Sequence, residues 1–430
     1  MTKKNIFLIR NGQIATLHGL KRADVMIRGE RIVAIEAGLT APPGADLIEA
    51  GHCIVLPGLI DAHVHLREPG GEHKEDLTSG TRAALAGGVT TVLGMPNTQP
   101  PIVDATTLAH ALNLASRKAV CDYGLFLGAT HDNITTAFKL KEAVGLKLYM
   151  GSSTGTLMVS DFAAQYAHFK AYSTDRVIAV HAEDEDAVQF FARLGRRRPP
   201  LCAELAVDRA LAMAADLKRR IHICHLSTAR EMELVKEAKK RGVHVTCEVA
   251  PHHLLLSVDS ERMLGPLGRM NPPLRTDSDI AALWANLKSI DMVATDHAPH
   301  TLEEKRGSSP PSGVPGLETL LPLMLTAVHQ KQMTYPDLVR LTAAGPAKVF
   351  GLVDKGHVEE GAHADLVVVD PRVQWRIEGA KMHTRCGWTP FEGWNVRGRI
   401  EKVFLRGQLA FDGEQVWVEP GYGQRVKQVN

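Results

Sequence analysis

A chain of 430 residues is too long for one small hydrophobic core and predicts a large domain with a smaller one beside it. Its 50 Lys+Arg against 48 Asp+Glu leave no excess of either sign, so charge gives no case for a nucleic-acid or anionic-membrane partner. No apolar run reaches bilayer-spanning length, and the apolar run in MTKKNIFLIRNG is too short for a signal-peptide core. Cys53, Cys121, Cys202, Cys224, Cys247 and Cys386 are scattered without a C-x-x-C pair, which predicts free thiols in a reducing cytoplasm.

Residues 1–55 alternate short apolar runs with turns such as NG and RGE, the pattern of small antiparallel strands. The stretch LPGLIDAHVHLREPGG then predicts a strand over 58–66, followed by a helix in KEDLTSGTRAALAGG. Further strands are predicted at 89–95, 122–130, 145–150, 176–183, 221–227, 243–253 and 291–300. Helical stretches near 104–118, 203–219, 228–242 and 317–330 lie among them. Eight strands with helical crossovers over roughly 250–300 residues match a (β/α)8 barrel. A doubly wound open sheet is the rival, but EPGG is not the phosphate-binding glycine fingerprint expected after its first strand. The far end, HADLVVVDPRVQW and RGRIEKVFLRGQLAFDGEQVWV, returns to short strands. The expected architecture is α/β: a barrel over 56–354, and a β-rich sandwich domain built from both ends, 1–55 plus 355–430.

In such a barrel, functional groups sit at the C-terminal ends of the strands. His63 and His65 fall there on strand one, on the same face by period-two alternation, with Arg67 next in phase. His181 ends strand five, His225 strand six and Asp296 strand eight. Four imidazoles and a carboxylate converging on one rim suit divalent zinc. Any one of these histidines alone is more simply a hydrogen-bonded structural residue; their shared placement carries the metal reading. Lys147, between Leu146 and Leu148 in GLKLYM, is expensive to bury as an ammonium. Either it snorkels at the strand end, or burial favours the neutral amine, which adds carbon dioxide to give a carboxylate that bridges two metals about 3.5–4 Å apart. His297 in DHAPH reads as a support of Asp296, a role also open to His300, and His252 and His253 receive no ligand role.

Together DAHVHLREPGGEHKED, GMPNTQPP, GLKLYMGSSTG, HICHLST, EVAPHH, MNPPLR and ATDHAPHTLEEK resemble the long-chain dihydroorotases of the amidohydrolase superfamily, nearly end to end. The resemblance implies reversible cyclisation of N-carbamoyl-L-aspartate to dihydroorotate. It makes His63 and His65 ligands of one zinc, His181 and His225 ligands of a second, and carboxylated Lys147 the bridge. Asp296 becomes both ligand and proton shuttle; Arg67, Asn97, Asn271 and His300 become substrate contacts. Cys224 and Glu248 match positions that hold an additional metal in some relatives, and GSSTG (151–155) matches a loop that closes over substrate. A homodimer is the family expectation, and association with aspartate transcarbamoylase is compatible with it. Two rivals differ in kind. Other cyclic-amide hydrolases (dihydropyrimidinase, hydantoinase, allantoinase) share the ligands, but Arg67 with Asn97 favours an anionic ring. A silent scaffold of aspartate transcarbamoylase would have lost ligands, and none of the expected positions is empty here.

Overall fold

The computed structural model describes residues 6–153 and 155–429. Its central strands are short, parallel and buried on both sides. They comprise Leu59–Val64, Val89–Gly94, Asp122–Leu125 with Leu127–Gly128, Leu146–Tyr149, Ile178–His181, Ile221–Ile223, Val245–Val249 and Met292–Val293. Burial on both faces explains why they read as apolar runs and not as alternating ones. Each pairs with the next in parallel register. A parallel bridge from Val64 to His297 joins the first unit to the last and closes the barrel. The barrel is therefore the outcome, and the open doubly wound sheet is excluded by that closure.

The crossovers follow local chemistry. Asp76, Asp104 and Thr228 close capping boxes at the starts of helices Leu77–Ala86, Ala105–Lys118 and Ala229–Lys240. Two elements depart from the sequence pattern. The helix expected over 203–219 runs Pro200–Asp216, because Pro200 lacks a backbone N–H and suits the first turn. The strand expected over 243–253 stops at Val249, where Pro251 starts the short helix Pro251–Leu255.

Both chain ends enter one eight-stranded sheet. Leu366–Arg376 is its seam, antiparallel to Ile54–Pro57 on one side and to Asn395–Leu405 on the other. Phe7 and Phe404 lie on strands three places apart, yet their rings meet edge to face at 5.1 Å, so the sheet curls over a core that includes Ile9, Ile27, Val55 and Val368.

A buried charge cluster ties this sheet to the barrel. Lys355 Nζ lies 2.5 Å from both Asp122, at the start of the third barrel strand, and Asp365. Arg406 also contacts Asp122 and donates to the carbonyl of Tyr422. Burial opposes the lysine's charge, but Asp365 and Asp122 outweigh it and raise its pKa to about 12. Burial opposes the charge of Asp122 as well; Lys355 and Arg406 still hold its carboxyl below the usual range. Lys355→Ala leaves Asp365 without its lysine and Asp122 with Arg406 alone, and is expected to cost about 3–5 kcal/mol of unfolding free energy, measured by urea titration. In the parent protein this contribution is lost on the acid side as pH falls through the depressed Asp122 pKa. On the alkaline side it starts to decline near the unfolded lysine's value of about 10.5 and is gone once pH passes about 12.

Candidate active site

The first and last strands meet through Asp61 and Thr295. Asp61 accepts from the backbone N–H groups of His63 (3.2 Å) and Thr295 (3.1 Å) and from the Thr295 hydroxyl (2.5 Å). Burial raises its pKa to about 6 against those hydrogen bonds. This brace aims the strand-one imidazoles at the residue after Thr295. His63 Nε2 and His65 Nε2 lie 3.2 and 3.1 Å from the same oxygen of Asp296.

The opposite nitrogen of each ring is held separately. His63 Nδ1 donates to Glu248 at 2.5 Å, and His65 Nδ1 donates to the amide oxygen of Asn97 at 2.6 Å. A histidine with Nδ1–H fixed this way presents its Nε2 lone pair, the arrangement that suits metal ligation. Glu248 also accepts from His222 Nε2 (3.0 Å) and from the backbone N–H of His225 (3.3 Å). Burial alone would keep this carboxyl neutral, but His63 and His222 hold its pKa well below the usual range. Burial acts likewise on Asp296 and is outweighed by His63, His65 and His225, so Asp296 is anionic.

His181 and His225 form the second half of the cluster. His181 Nδ1 and His225 Nε2 are 2.9 Å apart, and their rings sit edge to face at 4.8 Å. His225 Nδ1 is buried without a hydrogen-bond partner. Burial lowers both pKa values, so both rings are neutral with lone pairs available. The rings of His63 and His225 lie 5.3 Å apart, which joins the two halves. Lys147 is fully buried, 2.9 Å from Cys224 Sγ, and close enough for its charge to act on His63, His181 and His225. Neutral His65, His181 and His225, together with His63, an anionic carboxylate and a buried lysine, form a donor set that fits divalent metal, which would take the place of the proton that Glu248 and Asp296 favour on His63. Among the described residues two groups have donor atoms mutually within 4.8 Å: His63, His65 and Asp296, and His63, Cys224 and Glu248.

Arg67 lies beside this cluster with φ +63°. Its Nε donates to Pro299 O (3.1 Å), and Nη2 lies 3.1 Å from His300 Nε2. Among the described residues no carboxylate forms an ion pair with Arg67, and burial draws its pKa down to about 10. Lys74 Nζ donates to His300 Nδ1 (3.3 Å), leaving the His300 proton on Nε2, 3.1 Å from Ser312 O. Burial, Arg67 and Lys74 press the His300 pKa down to about 2, so this ring is neutral.

The remaining expected residues are placed differently. Asn97 was read as a substrate contact, and its oxygen is engaged with His65. Asn271 is half-buried between Met270 and Pro272, whose carbonyls accept from Arg197 (3.3 Å) and His253 (3.0 Å). Of the 151–155 loop, Thr154 lies outside the described residues. Ser152 N–H donates to Glu185 at 2.6 Å, and its carbonyl accepts from Arg198, which also pairs with the buried Glu183 beside His181. His297 Nδ1 accepts from Gly316 N–H, a supporting role. Sequence reading missed the Asp61 brace and the orienting role of Glu248. Asp61 is two residues before His63 and so on its face of the strand, a usable signal; nothing local in EVAPHH pairs Glu248 with His63.

A closed (β/α)8 barrel whose C-terminal rim gathers imidazoles, a carboxylate and a buried lysine defines a hydrolase of the metal-dependent barrel class. The chain belongs to the amidohydrolase family, whose model matches residues 54–410, and within it to the dihydroorotases. It is 42% identical over 406 residues to a dihydroorotase of Halobacterium salinarum, covering 91% of this chain and 94% of that one. It is also 44% identical over 385 residues to multifunctional protein CAD of Squalus acanthias, covering 89% of this chain but only 16% of that much longer protein. Among solved structures, the L-hydantoinase (dihydropyrimidinase) of Arthrobacter aurescens superposes with a TM-score of 0.93 at 26% identity, over 99% of this chain and 100% of that one.

If Glu248 orients His63, Glu248→Ala should weaken divalent-metal binding about 10–100-fold, read by metal content after dialysis against a graded chelator.

Proposed function

We propose that this protein is a dihydroorotase that interconverts N-carbamoyl-L-aspartate and L-dihydroorotate, a step of pyrimidine synthesis. The observation that carries the reading is Arg67: a buried guanidinium without a carboxylate partner among the described residues, beside a neutral His300, 3.1 Å away. A buried cation of this kind is costly unless an anion completes it. Dihydroorotate brings a carboxylate, whereas hydantoin and dihydrouracil rings do not. Arg67 grips that group through its planar fork, and His300, its Nε2–H turned to Ser312 O, borders the same group. Asn97 fixes His65 and borders the same rim, and Asn271 supplies the contact near the ring.

His63, His65 and Asp296 would hold one zinc ion and His181 and His225 a second, with carboxylated Lys147 between them. Bound there, such a pair would supply a water of lowered pKa and a Lewis acid for an amide carbonyl. Asp296, anionic and next to both imidazoles, takes the proton of the attacking water and delivers it to the leaving ring nitrogen. In the cyclising direction the same carboxylate accepts the proton of the carbamoyl nitrogen. Glu248 and Asn97 keep His63 and His65 in one tautomer throughout. Cytoplasmic residence accords with six buried free cysteines. The match to a multifunctional protein supports association with further enzymes; aspartate transcarbamoylase is the partner expected from the resemblance, and a homodimer the expected state of the isolated chain.

Zinc-loaded protein should turn over dihydroorotate well ahead of dihydrouracil, hydantoin and allantoin in side-by-side assays; the reverse order would replace this reading with that of a neutral-ring hydrolase. Arg67→Ala should lower kcat/KM for dihydroorotate about 10–100-fold while zinc content stays at the parental level. Lys147→Ala should remove nearly all turnover. Near-normal turnover of that variant would make the lysine purely structural.

A further inference from the structure

Lys305 is a fully buried lysine that the chemistry above does not use. It belongs to the short helix Leu302–Arg306, and its ammonium donates to three backbone carbonyls, Arg269, Pro311 and Gly313, each at 3.0 Å. Three N–H donors meet three acceptors, so the group is saturated without a carboxylate. Its charge also sits 5.5 Å from the centre of the Trp388 ring. Burial, with Arg269 and Arg197 nearby, draws its pKa down to about 7. An apolar side chain would fill such a space at lower cost, so the charge calls for a reason beyond packing.

The three carbonyls belong to segments that frame the anion side of the site. Arg269 is two residues before Asn271. Pro311 and Gly313 flank Ser312, whose carbonyl faces His300 Nε2 at 3.1 Å. Gly313 has φ +135°, and a Cβ there would come within 2.6 Å of Ala298 O, so this loop is pressed against the end of the last strand unit. Trp388 donates from Nε1 to His300 O at 2.7 Å. One ammonium thus gathers the Asn271 segment, the 307–316 loop and the tail indole around His300, which adjoins Arg67.

We propose that Lys305 is a positioning residue for substrate recognition: its three carbonyl contacts hold the Asn271 and Ser312 segments so that His300 and Arg67 face one carboxylate of the substrate. The identity of that carboxylate rests on the dihydroorotase reading; the tethering does not.

Lys305→Met and Lys305→Gln, made in the full chain and loaded with zinc, test the proposal. The expected result is a KM for dihydroorotate raised about tenfold in the Met variant and less in the Gln variant, with kcat within about twofold and zinc content unchanged. Amide hydrogen exchange should accelerate over 269–273 and 307–316 in both. An unchanged KM in a folded variant, or a fall in kcat and zinc content at constant KM, would overturn it. So would loss of fold in both variants, which would make Lys305 a global stability residue. If the parent protein itself fails to turn over dihydroorotate, the functional reading falls. Hydrogen exchange then decides separately: faster exchange in the two segments sustains the tether, and unchanged exchange removes it.

Discussion

One oxygen of Asp296 within 3.2 Å of the Nε2 atoms of His63 and His65 is the contact on which the site depends. It joins the end of the last strand unit to the end of the first, and those positions lie more than 230 residues apart in the chain. Only a closed barrel brings them together. Closure is itself secured next to the site, where Asp61 binds Thr295 and Val64 bridges to His297. The groups that complete the barrel and those that compose the site are therefore neighbours on the same two segments.

Burial imposes the second constraint. Four imidazoles, two carboxylates and a lysine share a region from which water is largely excluded, and each must be satisfied by a partner or reserved for a ligand. Glu248 and Asn97 take the Nδ1 atoms of His63 and His65, which leaves their Nε2 atoms directed inward. His225 Nδ1 has no hydrogen-bond partner, and the facing nitrogens of His181 and His225 meet each other at 2.9 Å. A few ångströms outward the logic changes from lone pairs to donors: Arg67 presents its guanidinium N–H groups beside His300. The rim thus separates into a floor rich in lone pairs and a side rich in donors, a division that suits a hydrolase acting on a charged cyclic amide.

Conserving that division requires loops to stay where they are. Residues 269–276 and 307–316 contain little regular structure, so their carbonyls find partners outside sheet and helix ladders. Lys305 meets three of these, and Arg198 and Glu185 hold Ser152 on the opposite side. At the far end of the barrel, Lys355 and Arg406 anchor the curled sheet through Asp122. Buried cations meeting backbone or carboxylate oxygen recur as the fastening device wherever irregular segments meet the barrel.

The periodicity of apolar runs was enough to read eight β/α units, because parallel strands buried on both faces leave continuous hydrophobic stretches in the chain. The alternation in DAHVHLR placed His63, His65 and Arg67 on one edge for the same local reason: successive side chains of a strand point to opposite faces. Sequence also marked Lys147 as anomalous, since a lysine between leucines in a strand must be buried. It did not reveal that Asn97 binds His65, that Glu248 orients His63, or that Lys305 gathers three carbonyls. Those pairings join residues from different units, and no spacing rule along the chain encodes them. Local pattern determined which residues reach the rim; closure of the barrel and exclusion of water decided which of their atoms face one another, and hence what each can bind.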